Sequence, residues 1–479
     1  MLDWLKKIEM PHVFTLLTYV IFFTSLLTYI VPSGSFQREE KEISGTTRTV
    51  VVPGTYEHLE KEVTIKGIIL GDESIEVSPV SITGFLTAIP RGLQESADIV
   101  FFIFIIGGVF GILQKTGTIL AILQALMSVF QNSAGLLTFF IMLSVAIGGS
   151  TLGMGEEFIP LVPIFILIAI RLGYDQIYGF CMVLLAAEVG FASATVNPFT
   201  VGIANGIAEL PLADDLLFRI IFFTVIFIVT FIYILRYGAK IKKDPSKSLM
   251  AGIEYRSDIR VDDIIKMDKR HVAIIISGLA IFSFIIYATI NLHWWFNEMA
   301  GGFFLIGIVA IIISRMTIKE ASSAFVKGME DMVVAALVVG FARGIVVVMN
   351  DGQILDTLIY GAANILENFH DVTAAQGMLL FQTILNFFIP SGSGQAAVTM
   401  PLMAPLADIL EISRTTAVFA FTCGDGFSNT IIPTSGVLMA MLSLANIPYQ
   451  RWLRFMFPLF LILLAVSGIF LMVSVIIHT

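Results

Sequence analysis

Charge is scarce in this sequence: Asp, Glu, Lys and Arg make up 14% of its 479 residues, against 57% hydrophobic ones. With a mean hydropathy of +0.89 the chain cannot close a soluble core without leaving large apolar surface bare, so an ordinary soluble domain is excluded. Cysteine is nearly missing as well. Cys181 and Cys423 lie in opposite apolar halves and read as small hydrophobes rather than as a bridge, which leaves the redox compartment open. There is no zinc-ligand spacing and no basic stripe, so nucleic acid is not among the expected partners. Histidine numbers six, with His271, His293 and His370 near the ends of apolar runs, and neither HExxH nor Gly-x-Ser-x-Gly occurs. These absences argue against an intramembrane enzyme.

What remains is a polytopic membrane protein. Its 40 Phe suit lipid-facing packing and its 39 Gly suit close helix contacts and interrupted helices. The first apolar run, 14–31, follows Lys6, Lys7 and His12; acids in that n-region and the spans beyond it favour a retained anchor over a cleaved leader. Residues 32–97 hold six Lys/Arg and ten Asp/Glu, with alternation at 47–56 and 62–70 that predicts short strands in an insert outside the cell. Residues 236–270 carry ten Lys/Arg, Lys266 among them, against six acids, and are expected on the cytoplasmic side with 315–327. Crossings are predicted near 13–31, 99–114, 118–130 (short for a span), 134–149, 176–206, 214–236, 271–291, 298–314, 332–349, 353–366, 371–389, 413–443 and 452–476. That parity puts the N-terminus inside and the C-terminus outside.

Two polar stretches repeat each other inside this apolar background: Gly149-Ser-Thr-Leu-Gly-Met-Gly-Glu-Glu157 and Ser391-Gly-Ser-Gly-Gln395. Laid over one another without a gap, they pair Ser150 with Ser391, Gly153 with Gly394 and Pro160 with Pro401. A second matched pair follows, Gly190-Phe-Ala-Ser-Ala-Thr-Val-Asn-Pro198 and Gly426-Phe-Ser-Asn-Thr-Ile-Ile-Pro433. Gly107–Leu113 resembles Gly340–Val346, and amphipathic stretches at 81–97 and 317–331 precede them. Broken apolar segments at corresponding places in two halves point to a transporter's substrate site. The expected fold is therefore all-α and polytopic, with inverted repeats, each holding a re-entrant hairpin and an interrupted helix, and with a small extracellular β insert. Its parts are 1–31, a first helix; 32–97, the insert with an interfacial helix; 98–149, scaffold helices; 150–236, hairpin and interrupted helix; 237–270, the basic loop; 271–389, a linking helix and more scaffold; and 390–479, the second hairpin and interrupted helix.

Irregular backbone at membrane depth must be buried in protein or line a wet cavity, and half-helix ends there present amides to an anion and carbonyls to a cation. The candidate substrate-binding residues are Ser150, Thr151, Gly153, Ser391, Ser393 and Gln395 at the tips, with Ser193, Asn197, Ser428, Asn429 and Thr434 at the breaks. Ser193, Asn197, Ser428 and Asn429 are also the candidate sodium ligands. Ionisable residues inside spans are functional candidates by default, which adds Glu156, Glu157 and Asp425, with Glu188 at the position matching Asp425. One of the two adjacent glutamates is expected to cap a half-helix and the other to face the cavity. Arg343 reads as the one conspicuous buried cation, either a counter-charge or a ligand for a carboxylate. Four acids against one arginine favour a cation, a proton or an amino acid with a positive group over a bare dianion.

Gly153-Met-Gly-Glu-Glu157, Ser193-Ala-Thr-Val-Asn-Pro-Phe199, Pro390-Ser-Gly-Ser-Gly-Gln395 and Gly424-Asp-Gly-Phe-Ser-Asn-Thr430 resemble the bacterial YfcC family, as does Thr49-Val-Val-Val-Pro-Gly54 in the insert. That family belongs with the DcuC-type anaerobic dicarboxylate carriers and the wider ion transporter superfamily. The resemblance implies a secondary transporter of the bacterial inner membrane, a homodimer in contact with membrane lipids, with a scaffold and a hairpin-bearing domain that slides as an elevator. Its members are associated with basic amino acid exchange, notably arginine for ornithine, and with dicarboxylate uptake. No cofactor is implied beyond a coupling Na+ or H+. The sodium symporters of the superfamily carry Ser-Asn-Thr at both tips, whereas here the triplet occurs only at Ser428-Asn429-Thr430, so their ion sites do not carry across. A channel is the rival from another class.

Overall fold

The computed structural model describes residues 13–43, 46–72, 74–129, 133–211, 213–253, 255, 267–292, 294 and 296–478. Lys6, Lys7, His12, Lys266 and His293, named above, lie outside the described residues, as does most of the acidic and basic sequence between 254 and 266. The chain runs α1 (Val13–Leu27), β1 (Ser33–Ser35), β2 (Arg38–Ile43), β3 (Thr46–Val51), β4 (Glu57–Leu59), α2 (Ile65–Ile69), α3 (Ile82–Glu95), α4 (Ala97–Lys115), α5 (Thr118–Val129) and α6 (Ala134–Leu152). A 3-10 turn (Glu156–Leu161) leads to α7 (Val162–Arg171); α8 (Gln176–Phe180) continues through a π turn into α9 (Ala186–Ala192), then α10 (Val201–Ile207) and α11 (Leu216–Lys243). Beyond the basic loop come α12 (Lys269–Asn291), α13 (Phe296–Ser314), α14 (Ile318–Asp331), α15 (Val333–Asp351), α16 (Leu355–Leu366), α17 (Asp371–Leu385), α18 (Gly392–Ile409), α19 (Arg414–Ser428), α20 (Gly436–Leu444) and α21 (Tyr449–His478).

Among the described residues seven helices are long and apolar enough to cross a membrane: α4, α6, α11, α12 (as Lys269–Thr289), α13, α15 and α21. Six of the thirteen predicted crossings are not among these seven: those at 13–31, 176–206, 371–389 and 413–443 are shorter or broken helices, and two fall furthest short. At 12 residues each, α5 and α16 reach only about 18 Å at 1.5 Å per residue, well under the hydrocarbon thickness.

The insert forms two antiparallel two-stranded sheets, β1 with β4 and β2 with β3. The alternation at 47–56 corresponds to β3, but the strand expected at 62–70 is the helix α2. Thr64 caps it by accepting from Gly67 N, and Val63 and Ile65 are 58% and 80% exposed, so no apolar face was there to pair. Hydrogen bonds to backbone carbonyls fasten the insert to the chain between α15 and α16: Gly34 N donates to Gln353 O, and Ser33 Oγ to Gly352 O. The buried Asp356 carboxylate accepts from Phe36 N at 2.9 Å and from Arg38 at 2.8 Å. Lys61 donates to the carbonyls of Thr28 and Val31, beyond the C-terminal end of α1, where a cation is favoured.

Glycine lets four of the long helices approach at backbone distance. A Cβ on Gly92 of α3 would lie 2.4 Å from Gly340 O of α15, and one on Gly111 of α4 would lie 2.2 Å from Ala324 O of α14. The two amphipathic helices and the two glycine-bearing helices matched in the sequence thus pack crosswise, each amphipathic helix against the glycine helix of the other half.

Candidate functional site

Two turns between helices, one after α6 and one after α17, meet two helices that stop short. The first turn begins at Gly153, whose φ of +69° ends α6; a Cβ there would be strained and would lie 2.4 Å from Asn197 Oδ1. The second turn runs to Ser391, which caps α18 by accepting from Gly394 N at 3.3 Å. The broken helices are α9, which stops at Ala192 before α10, and α19, which stops at Ser428 before α20. Their unwound carbonyls are held by neighbouring helices, as membrane depth requires. Trp452 Nε1 donates to Thr430 O at 2.8 Å, Tyr449 to Ile431 O, and Arg219 Nη1 to Ala194 O at 3.5 Å.

Each turn is tied to a break by buried polar groups. Ser150 Oγ donates to Ser193 O at 3.2 Å and accepts from Thr195 N at 3.1 Å. In the other half Asn386 Nδ2 reaches Asp425 O, Ser428 Oγ and Asn429 Oδ1 at 2.7–2.8 Å. The helices leading into the turns are bound as closely: a Cβ on Gly190 would lie 2.1 Å from Ala146 O, joining α9 to α6, and one on Gly424 would lie 2.9 Å from Leu379 O, joining α19 to α17. The boundary expected at 149/150 falls inside α6, which runs to Leu152, and that at 389/390 falls between α17 and α18. The ungapped pairing of Ser150 with Ser391 also fails: Ser150 sits in the last turn of α6, whereas Ser391 is the N-cap of the following helix. The residue doing for the second turn what Ser150 does for the first is Asn386.

Between these turns and the wall formed by α3, α4, α13 and α15 lies a cavity of about 370 Å³. Eight of the candidates line it: Gly153, Glu156, Glu157, Arg343, Ser391, Ser393, Asn429 and Thr434. Ser150, Thr151, Ser193, Asn197, Gln395, Asp425 and Ser428 do not. Ser193 Oγ bonds Val189 O and Ser428 Oγ bonds Gly424 O, the intrahelical contacts of packed hydroxyls, and Gln395 donates to Gln382. Sequence reasoning missed Glu95 and Asp98 from the wall and left Glu188, which also lines the cavity, out of the binding set. Nothing in the local sequence marks Glu95 and Asp98, because they flank a helix junction and reach the cavity only through the packing of α3 and α4.

The two adjacent glutamates differ in their partners. Glu157 Oε2 accepts from Gly155 N at 3.0 Å, closing its own turn, while the Glu156 side chain has no hydrogen-bond or ion-pair partner on another described residue. Arg343 is not the buried cation expected. Its side chain is 38% exposed and pairs with Glu95 at 3.0 Å across the α15–α3 contact, because the helix face it occupies borders the cavity. Among the described residues the fully buried arginine is Arg219 on α11, 2% exposed. The cavity thus gathers five carboxylates, Glu95, Asp98, Glu156, Glu157 and Glu188, around one guanidinium that is already paired. Among the described residues no group of three or more His, Cys, Asp or Glu is placed to hold a metal ion.

Residues 10–476 match the family model of DcuC, described as a C4-dicarboxylate anaerobic carrier. The chain is 32% identical over 475 residues to an Escherichia coli K12 protein provisionally named basic amino acid antiporter YfcC, covering 94% of this chain and 93% of that one. It is 29% identical over 514 residues to an uncharacterised Haemophilus influenzae protein, covering 98% of both. Among solved structures it is similar to the YdaH transporter of Alcanivorax borkumensis (TM-score 0.45, 15% identity, 96% of this chain and 97% of that one). It is also similar to MtrF of Neisseria gonorrhoeae, described as illuminating a class of antimetabolite efflux pumps (TM-score 0.44, 16% identity, 98% and 96%). At that level neither structure bears on mechanism or substrate. The family match over almost the full length and the 32% identity across it place the chain in the DcuC family, as a multi-pass membrane transporter of the DcuC and YfcC type.

Proposed function

We propose that this chain is a secondary transporter that exchanges a basic amino acid, of the arginine or ornithine kind, across the bacterial inner membrane. The observation that carries this is the charge of the cavity: five carboxylates face one arginine, and Glu95 already neutralises that arginine. A substrate with two positive groups and one carboxylate matches that inventory, with Glu156 and Glu188 taking the side-chain cation and Arg343 the carboxylate. The provisional name of the YfcC relative agrees with it.

The mechanism proposed is an elevator built on inverted repeats. Both turns and both broken helices are tied together by Ser150, Asn386 and the glycine contacts, and Gly426 brings α19 against Ala192 of α9, so they form one moving body that includes α6 and α17. The crosswise pairs α3 with α15 and α4 with α14 form the fixed wall and hold a second copy of the chain in the membrane. The basic loop at 237–270 faces the cytoplasm.

Counterflow in proteoliposomes tests the substrate: trans-stimulated uptake of labelled arginine by ornithine is expected, and a protein stimulated only by dicarboxylates refutes it. A C4-dicarboxylate is the second reading, favoured by the family's description and by the α18 N-terminus at Ser391–Ser393, whose amides suit an anion. Cysteines placed at positions 153 and 394 test the mechanism; exposure of both to one and the same side under every condition would exclude alternating access.

A further inference from the structure

The β insert touches both the fixed wall and the moving body. Its base sits on the wall: Ser33 and Gly34 of β1 donate to the carbonyls of Gly352 and Gln353, directly after α15, and Lys61 donates to those of Thr28 and Val31 beyond α1. Helix α1 itself packs on that wall. The Phe14 and Phe341 rings of α1 and α15 lie with centroids 4.7 Å apart, and a Cβ on Gly352 would lie 2.4 Å from Thr28 Cγ2.

The β2–β3 hairpin of the same insert reaches the moving body. Strand β3, with Val50 and Val51 buried, packs on α18, and β2 packs on α10. Lys41 Nζ of β2 lies 3.6 Å from Glu209 Oε1, just beyond α10. That carboxylate is fixed from the other side: Arg414, the first residue of α19, reaches Glu209 at 3.2 Å, Asp408 in the last turn of α18 at 2.7 Å and Ala208 O at 3.0 Å. Lys41 thus joins a cluster that ties α10, α18 and α19 together. The hairpin has no slack with which to follow a displacement, because β2 and β3 are paired from Arg38 with Val51 to Ile43 with Thr46, and a strand at about 3.3 Å per residue is already close to full extension. One of its two attachments therefore parts when the body slides along the wall. The base is held by buried groups, Ser33 and the Asp356 carboxylate, whereas the Lys41–Glu209 pair joins side chains 41% and 67% exposed, a weak kind of ion pair.

We propose that the insert is a strap: it is carried by the fixed wall, clasps the moving body at α10, α18 and Glu209 in the position seen in this structure, and releases that clasp each time the body moves. It thereby favours one end position of the cycle over the other. The inference rests on the elevator mechanism proposed above.

Crosslinking of the purified full-length protein in detergent, followed by reconstitution, tests the strap. Lys41→Cys and Glu209→Cys are combined and joined by a short bis-maleimide; Cys181 and Cys423 are buried and do not compete. Arg91→Cys with Asp351→Cys is the control, because those side chains meet at 2.9 Å between α3 and α15 and joining them links wall to wall. Exchange is read with labelled arginine and with a labelled C4-dicarboxylate, so the result does not hang on the substrate assigned. The protein joined at 41 and 209 is expected to lose exchange of whichever substrate its unjoined form carries, and the protein joined at 91 and 351 to keep it. Undiminished exchange after joining 41 to 209 overturns the proposal, as does a 41–209 pair that cannot be joined, or an equal loss from both joined pairs. An unjoined protein that exchanges neither substrate class refutes the transport reading itself, and the strap falls with it.

Discussion

Replacing Glu156 by Gln separates the two adjacent glutamates and the two substrate classes at once. Glu156 faces the cavity with no partner on another described residue, whereas Glu157 spends one oxygen on Gly155 N at 3.0 Å. A hydrogen bond to a charged group is worth about 1.5–3 kcal/mol, so loss of the carboxylate at 156 should weaken binding of a cationic substrate by about 10- to 150-fold. Glu157→Gln keeps an acceptor for Gly155 and should cost less than Glu156→Gln, on the order of 0.5–1.5 kcal/mol. Concentration-dependent counterflow of arginine into ornithine-loaded proteoliposomes gives both apparent affinities, with folding checked by the elution profile in detergent. For a dicarboxylate the sign reverses, because removing one of five carboxylates relieves repulsion and affinity should rise. An apparent KM for arginine unchanged by Glu156→Gln, or an equal loss from both substitutions, would refute the assignment.

Arg343→Gln should lower affinity for an amino acid by a similar factor while leaving stability nearly unchanged, since its pair with Glu95 is more than a third exposed and such pairs contribute about 0–1 kcal/mol. Affinity and Tm measured on one preparation check both halves. Gly190→Ala puts a methyl group 2.1 Å from Ala146 O, a backbone atom that cannot rotate away, and should destabilise by about 1–3 kcal/mol. A chemical-denaturation midpoint equal to that of the wild type would contradict the close α6–α9 contact. Asp356→Ala strips the buried acceptor from Phe36 N and Arg38, and limited proteolysis should then cut within 32–59 well before it cuts the wild type. Equal cutting rates would mean that the insert is held by other contacts.

The lipid-soluble class, the polar turns and the helix breaks were legible in the sequence because their signals are local. Long apolar runs, a left-handed glycine at 153 and Ser-Asn-Thr or Asn-Pro interruptions act within a few residues. Composition and spacing likewise marked Glu156, Glu157 and Asp425 as unusual, since an acid inside an apolar segment stands out against its neighbours. Where those acids point was beyond it. Glu156 opens to the cavity while Asp425 is sealed behind it, and the difference comes from packing of α18 against α19 and, nearly 200 residues back along the chain, against the start of α10. The ungapped repeat misled at Ser150 and Ser391 because matching letters do not report helix ends: Ser391 has extended dihedral angles and caps α18, whereas Ser150 is still within α6. Arg343 was misread as buried for the same reason: it and Arg219 both sit in apolar segments, and only the neighbours of α15 and α11 decide which guanidinium meets the cavity and which is enclosed. Local chemistry determined what this chain is made to live in and where its backbone breaks; contacts between distant helices, which no short-range pattern encodes, decided which of its charges share one cavity.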